Sequence, residues 1–159
     1  ECKELGLPYI YDPSQQIIRL TGEELAEGVR GSAMTIVNEY EFEMLKNKTD
    51  WDDARVARET GTLIVTLGEK GSHIHADGKT ITVPPVPARR QADPTGVGDA
   101  YRAGIIKGYL KKTSWETAGR LGSLAATYAL EEYGTQNHRY SLQEFSERYR
   151  EAFGSAPEL

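Results

Sequence analysis

The sequence is poor in the residues that would place it in several large functional classes. A single cysteine, Cys2, among 159 residues excludes an internal disulfide and a cysteine-based zinc site, and it fits a reducing compartment. No apolar run approaches the roughly 20 residues that a membrane-crossing helix needs, and no basic start leads into an apolar signal core. Positive charge is also in deficit. Lys and Arg total 19 against 24 Asp and Glu, a formal net charge of −5, which argues against a surface built to neutralise phosphodiesters or to lie on anionic lipid. Neither nucleic acid nor a membrane is therefore an expected partner, and the chain reads as cytoplasmic. The three histidines, His73, His75 and His138, share no ligand spacing with a carboxylate cluster and read as structural or solvated.

What is present is an alternation of buried strands and helices. Pro8 to Pro13 and the continuous apolar run Ala33 to Val37 read as strands, each feeding a helix; the first of these helices opens at Thr21-Gly22-Glu23-Glu24, a threonine cap with an acidic first turn. The second helix starts at Glu39, and Trp51 to Glu59 reads as a further charged amphipathic helix. Thr62 to Leu67 is the most strand-like run, apolar on both faces. Asp77-Gly78 between Ser72–Ala76 and Lys79–Val83 predicts an antiparallel hairpin. Helices are expected over about Gly96 to Leu110, Trp115 to Glu132 and Ser141 to Phe153. The fold class is α/β: a mostly parallel sheet with an antiparallel hairpin and helices on both faces, organised as one domain. Glu1 to Gly6 reads as the last turns of a helix closed by a glycine, so something is expected upstream of Glu1.

Chemistry concentrates in Asp93-Pro94-Thr95-Gly96-Val97-Gly98-Asp99. Two glycines directly before a helix leave backbone N–H groups unpaired at the positive end of the helix dipole, an arrangement that binds anions. An aspartate in the first turn, Asp99, could take a proton from a hydroxyl while those amides hold phosphate oxygens; equally, it could only complement the dipole. Two other phosphate motifs are excluded. A dinucleotide fingerprint needs glycine where Tyr101 stands, and Gly68-Glu69-Lys70-Gly71-Ser72 does not spell a Walker loop. Taken alone, Asn38-x-x-Glu41 is a helix start with an acidic first turn.

Asp93 to Tyr101 with Ala103-Gly104 resembles the C-terminal signature of ribokinase-like (pfkB family) kinases. Asn38-Glu39-Tyr40-Glu41 resembles that family's Asn-x-x-Glu motif, Thr66 to Gly71 its nucleotide strand and loop, and Ala125-Ala126 through Gly134 its late helix and adenine-side loop. The Pro94-Thr95-Gly96-Val97 wording with Arg102 is most similar to the bacterial adenosine kinases. The resemblance implies that residues 1–159 are the C-terminal nucleotide-binding and catalytic part of such a kinase, with the N-terminal half and its lid absent. It implies ATP-dependent phosphorylation of a small-molecule hydroxyl, here the 5′-hydroxyl of adenosine; a sugar kinase or a non-catalytic nucleotide-binding module on the same fold are the alternatives.

Residue by residue, the resemblance makes Asp99 the base and Gly96, Val97 and Gly98 the anion hole. Asn38 and Glu41 act near Mg²⁺ and phosphate through water, and Thr66, Gly68 and Gly71 line the triphosphate or ribose. Ala125 and Gly134 lie on the adenine side. Asp93, with the carbonyls of Thr95, Ala129 and Gly134, matches positions that hold a monovalent cation such as K⁺ in many relatives. ATP is expected across the carboxyl ends of the strands near Val37 and Leu67, its terminal phosphates toward Gly96 to Gly98. The partners implied are a nucleoside or sugar, the missing half of the kinase and, through an open sheet edge, a second copy in a homodimer. Arg102 is expected to reach substrate or phosphate, or to form a surface ion pair.

Overall fold

The computed structural model describes residues 1–157. It contains five strands, β1 (Ile10–Tyr11), β2 (Met34–Asn38), β3 (Leu63–Thr66), β4 (Ser72–Ala76) and β5 (Lys79–Val83). Six helices accompany them: α1 (Gly22–Val29), α2 (Glu39–Thr49), α3 (Asp53–Glu59), α4 (Val97–Leu110), α5 (Trp115–Leu130) and α6 (Leu142–Phe153). The strands form one sheet in the order β1-β2-β3-β4-β5; β1, β2 and β3 run parallel and β4 runs antiparallel to β3. This is the expected α/β architecture of ribokinase-like proteins.

The chain divides into two compact units, one of Glu1–Gly68 with Ser72–Ile81, the other of Glu69–Gly71 with the chain from Thr82 onward. In the first unit, α1 to α3 lay Leu25, Val29, Phe42, Leu45 and Val56 against Val37, Leu63 and Val65 of the sheet. The alternate strand residues, Met34, Ile36, Ile64 and Ile74, are also buried, which is why β2 and β3 read as unbroken apolar runs. Asp77 and Gly78 both have positive φ, 51° and 70°, the conformation that a two-residue hairpin turn demands.

Several boundaries differ from expectation. Glu1 to Gly6 forms turns only, but Gly6 closes them as a helix-ending glycine would: its φ is 64°, its N–H donates to Lys3 and that of Leu7 to Cys2. β1 is cut to two residues at the sheet edge, and Ser14–Ile18 forms a short 3-10 turn that buries Ile17. Trp51 precedes α3, whose cap is Asp52, and is buried between the guanidinium groups of Arg30 and Arg55, 5.1 and 4.8 Å from its ring.

In the second unit α4 and α5 meet through small residues. A Cβ on Gly104 would stand 2.5 Å from the Gly122 Cα, and one on Gly108 would stand 2.6 Å from the Ala118 Cα. Such contact admits no side chain between the two helices. Val86, Ala100, Leu121, Leu124, Phe145 and Tyr149 complete that unit's core.

The irregular chain from Pro84 to Asp93 is strapped along α5. Ser123 Oγ donates to the Pro84 carbonyl at 2.9 Å and Thr127 Oγ1 to that of Val86 at 3.0 Å. Further along, the Arg89 N–H donates to the Glu131 carboxylate, and the N–H groups of Ala92 and Asp93 reach the Leu130 carbonyl. The strap delivers Asp93 to the end of α5 and leads directly into the start of α4.

Candidate active site

In the first unit, Asn38 is both the last residue of β2 and the N-cap of α2. Its side-chain oxygen accepts from the Glu41 N–H at 2.8 Å, and Glu41 Oε2 accepts from the Asn38 N–H at 2.8 Å, a reciprocal capping box. Asn38 stands in register with Thr66, the last residue of β3, and Gly68 follows at φ 57°. The carboxyl ends of two parallel strands thus bring Asn38, Glu41, Thr66 and Gly68 to one end of the sheet, where ligands of open α/β sheets bind. Only one oxygen of Glu41 is committed to the cap. No group of three or more His, Cys, Asp or Glu among the described residues could form a metal cage. A lone carboxylate beside an amide suits Mg²⁺ that keeps its waters and takes its other ligands from phosphate.

Gly71, in the second unit, has φ 89°, and a Cβ there would stand 2.0 Å from the Val83 carbonyl oxygen. Only glycine fits.

In the second unit, a further group of candidate residues surrounds the start of α4. Gly96 is the N-cap at φ 83°, without a side-chain cap, and packs so closely on Thr135 that a Cβ would lie 3.0 Å from its Cα. The Val97 N–H turns back to the Pro94 carbonyl at 3.3 Å, so helix geometry leaves the amides of Gly98 and Asp99 as the first-turn donors with no helical acceptor. Asp99 stands in that first turn with its side chain 83 % exposed, and Arg102 Nη1 donates to its Oδ1 at 2.9 Å. The ion pair expected for Arg102 is formed.

Asp93 accepts from the Thr95 N–H at 2.9 Å through one oxygen and from the Gly134 N–H at 3.0 Å through the other. The Thr95 hydroxyl, with these two N–H groups, holds the Asp93 carboxyl below the usual range. Asp93, Thr95 and Gly134 are therefore brought together, but by N–H donors facing the carboxylate. The Ala129 carbonyl, expected with them as a cation ligand, accepts from backbone N–H groups at the end of α5. The oxygens of Asp93 and Ala129 already accept from N–H groups, so a cation bound there would share them with these donors. Ala125, expected beside adenine, lies inside the core of the second unit, 5 % exposed.

Sequence reasoning missed the Glu131–Arg148 pair. Both residues are buried, and the two guanidinium nitrogens of Arg148 meet the two carboxylate oxygens of Glu131 at 2.7 and 2.6 Å. Arg148 also donates to the Pro87 carbonyl at 3.2 Å and lies 4.8 Å from the Tyr128 ring. Its only signal in sequence is two opposite charges 17 residues apart, which no local periodicity marks.

The chain is 33 % identical over 138 residues to a nucleoside kinase of Methanocaldococcus jannaschii, covering 87 % of this chain and 46 % of that protein. It is 31 % identical over 160 residues to a nucleoside kinase of Methanothermobacter thermautotrophicus, covering 99 % and 51 %. The solved structure of Burkholderia thailandensis nucleoside kinase in complex with inosine superposes with a TM-score of 0.96 at 35 % identity, over 99 % of this chain and 52 % of that one. The chain spans about half the length of the curated relatives it matches. These relatives bear the broad name of nucleoside kinase and none of these three is called an adenosine kinase. Residues 2–141, which carry every motif described above, match the pfkB family of carbohydrate kinases, and the chain belongs to that family.

Proposed function

We propose that this chain supplies the phosphate-binding and proton-accepting part of an ATP:nucleoside phosphotransferase, with adenosine as the narrower choice of acceptor. The observation that carries the reading is the start of α4: a glycine N-cap at positive φ, first-turn amides without helical acceptors, and the exposed Asp99 carboxylate among them. Phosphoryl transfer asks little covalent chemistry of the protein, so positioning and electrostatics supply most of the rate. Asp99 takes the proton of the acceptor hydroxyl as its oxygen attacks the terminal phosphorus and ADP leaves. Of the expected anion hole Gly96, Val97 and Gly98, the Val97 N–H is turned to Pro94, so it is the Gly98 amide, with that of Asp99, that would face the transferred group, while the helix dipole offsets its charge.

Asn38 and Glu41 act near Mg²⁺ through water, and Thr66, Gly68, Gly71 and Gly134 offer backbone to ATP. Mg²⁺, when bound with ATP, neutralises charge on the phosphates. Since the chain spans about half of its relatives' length, most acceptor contacts are proposed to come from a further polypeptide segment, and the chain alone is expected to turn over poorly.

The test is Asp99→Asn in the full-length protein, assayed by ADP formation with adenosine, inosine, ribose and fructose. A base at this position predicts a fall in kcat of about 10²–10⁴-fold with ATP affinity nearly unchanged. A folded variant that keeps more than about a tenth of the wild-type kcat returns Asp99 to a dipole-complementing residue. Stimulation by a sugar and by neither nucleoside moves the acceptor assignment to the sugar kinases.

A further inference from the structure

Arg102 stands three residues after Asp99, a spacing at which exposed opposite charges pair routinely and contribute little. Two observations separate this pair from that ordinary case. The first is its asymmetry. The Asp99 side chain is 83 % exposed while that of Arg102 is 24 % exposed, so the guanidinium is the fixed member and the carboxylate comes to it.

The second observation is the residue between them. Gly98 lies in the helix with no positive φ, so its backbone conformation does not require glycine, and glycine is among the poorest helix formers. A side chain there would instead crowd the Arg102 guanidinium. A Cβ at position 98 would lie 3.1 Å from Arg102 Nη1, 3.8 Å from its Cζ and 3.9 Å from its Nη2. The guanidinium therefore lies across the place where a side chain at position 98 would begin, and from there it donates to Asp99 Oδ1.

Resting on the reading of Asp99 as the base, we propose that Arg102 is a positioning residue: it holds Oδ1 so that Oδ2 alone faces the acceptor hydroxyl and receives its proton. An exposed aspartate in a first helical turn otherwise samples several rotamers, and few of them aim an oxygen at one incoming hydroxyl. The planar fork of arginine selects one rotamer, and a lysine, as a point charge, does so less well. Arg102 acts through Asp99 and makes no contact with substrate in this scheme.

The experiment is a double-mutant cycle on kcat in the full-length protein, with Arg102→Ala, Arg102→Lys, Asp99→Asn and the Arg102→Ala/Asp99→Asn pair, each checked for fold by circular dichroism. Arg102→Ala is expected to lower kcat about 10- to 100-fold with the KM for ATP little changed, and Arg102→Lys to recover part of the loss. Guanidinium ion added at millimolar concentration should restore kcat in Arg102→Ala and not in Arg102→Lys, a response that a purely structural role would not give. In the Asp99→Asn background, Arg102→Ala should change kcat by less than about twofold. An equal loss in both backgrounds means that Arg102 acts on the phosphates directly and overturns the positioning role while Asp99 stands. A wild-type kcat in Arg102→Ala overturns it as well. If Asp99→Asn is itself active, or wild type transfers no phosphoryl group, the underlying reading fails first.

Discussion

Replacing Arg148 with methionine keeps most of the aliphatic volume and removes the charge, which leaves Glu131 buried with its main partner gone. Glu131 is 8 % exposed and Arg148 6 %, and the two share a bidentate pair at 2.6 and 2.7 Å. Breaking a buried pair from one side costs about 3–5 kcal/mol, because the remaining charge stays out of water. At about 2–4 °C per kcal/mol for a chain of this size, Arg148→Met should lower Tm by about 6–20 °C in a thermal melt. The pH dependence is the sharper readout. Burial alone would push the Glu131 carboxyl up; hydrogen bonds from Arg148 and the Arg89 N–H, with the charges of both arginines, more than reverse this and hold it below the ordinary range. A depressed carboxyl contributes stability that is complete above its unfolded value and is lost as pH falls through the lower folded value, so in wild type this contribution disappears below about pH 4.3. In Arg148→Met, the Arg89 N–H and charge remain to oppose burial but the Arg148 hydrogen bonds and charge are gone, so the Glu131 value rises from its wild-type position. The contribution then shrinks, and the loss of stability on acidification becomes shallower than in wild type. A variant within about 0.5 kcal/mol of wild type, or one with an unchanged slope against pH, would refute the idea that this pair supports the strap.

Two further outcomes are expected. Gly104→Ala forces a Cβ to within 2.5 Å of the Gly122 backbone, and overpacking of this kind should lower stability in a urea melt by about 1–3 kcal/mol; a loss under about 0.5 kcal/mol would mean that the helices separate freely. Asn38→Asp retains an equally good N-cap, so Tm should hardly move while the MgATP dependence of kcat weakens; unchanged kinetics would leave Asn38 as a cap and nothing more.

Strands β2 and β3 were legible because both faces are buried and the apolar run is unbroken, and the hairpin because Asp77 and Gly78 occupy the positive-φ turn that their types favour. The start of α1 was legible in Thr21, which caps it through its hydroxyl; Ser114 and Ser141 cap α5 and α6 in the same way. What could not be read were contacts between segments far apart in sequence. Ser123 and Thr127 look like ordinary polar helix residues until the carbonyls of Pro84 and Val86 are beside them. In the same way the tight approach of Gly104 to Gly122 leaves no sign beyond two glycines in two helices. At the candidate site, the residue types were legible in the motif, but the rotamer of Asp99 depends on where Arg102 lies, and sequence spacing alone permits that pair without requiring it.

The strap along α5 sets a ruler inside what looks like a loop. Ser123 and Thr127 are one helical turn apart, about 6 Å along the axis, and the two carbonyls they grip, Pro84 and Val86, are separated by about 6.6 Å of extended chain. Helix and strap therefore advance in step here, four residues against two, whereas beyond Val86 the strap takes six and seven residues to bring the N–H groups of Ala92 and Asp93 to Leu130. An inserted or deleted residue between Pro84 and Val86 would break that step and release one of the two grips. Loops ordinarily tolerate changes of length and conserve little else. Between Pro84 and Val86 the reverse holds: the Pro85 side chain is exposed, while the number of residues is fixed by the two grips.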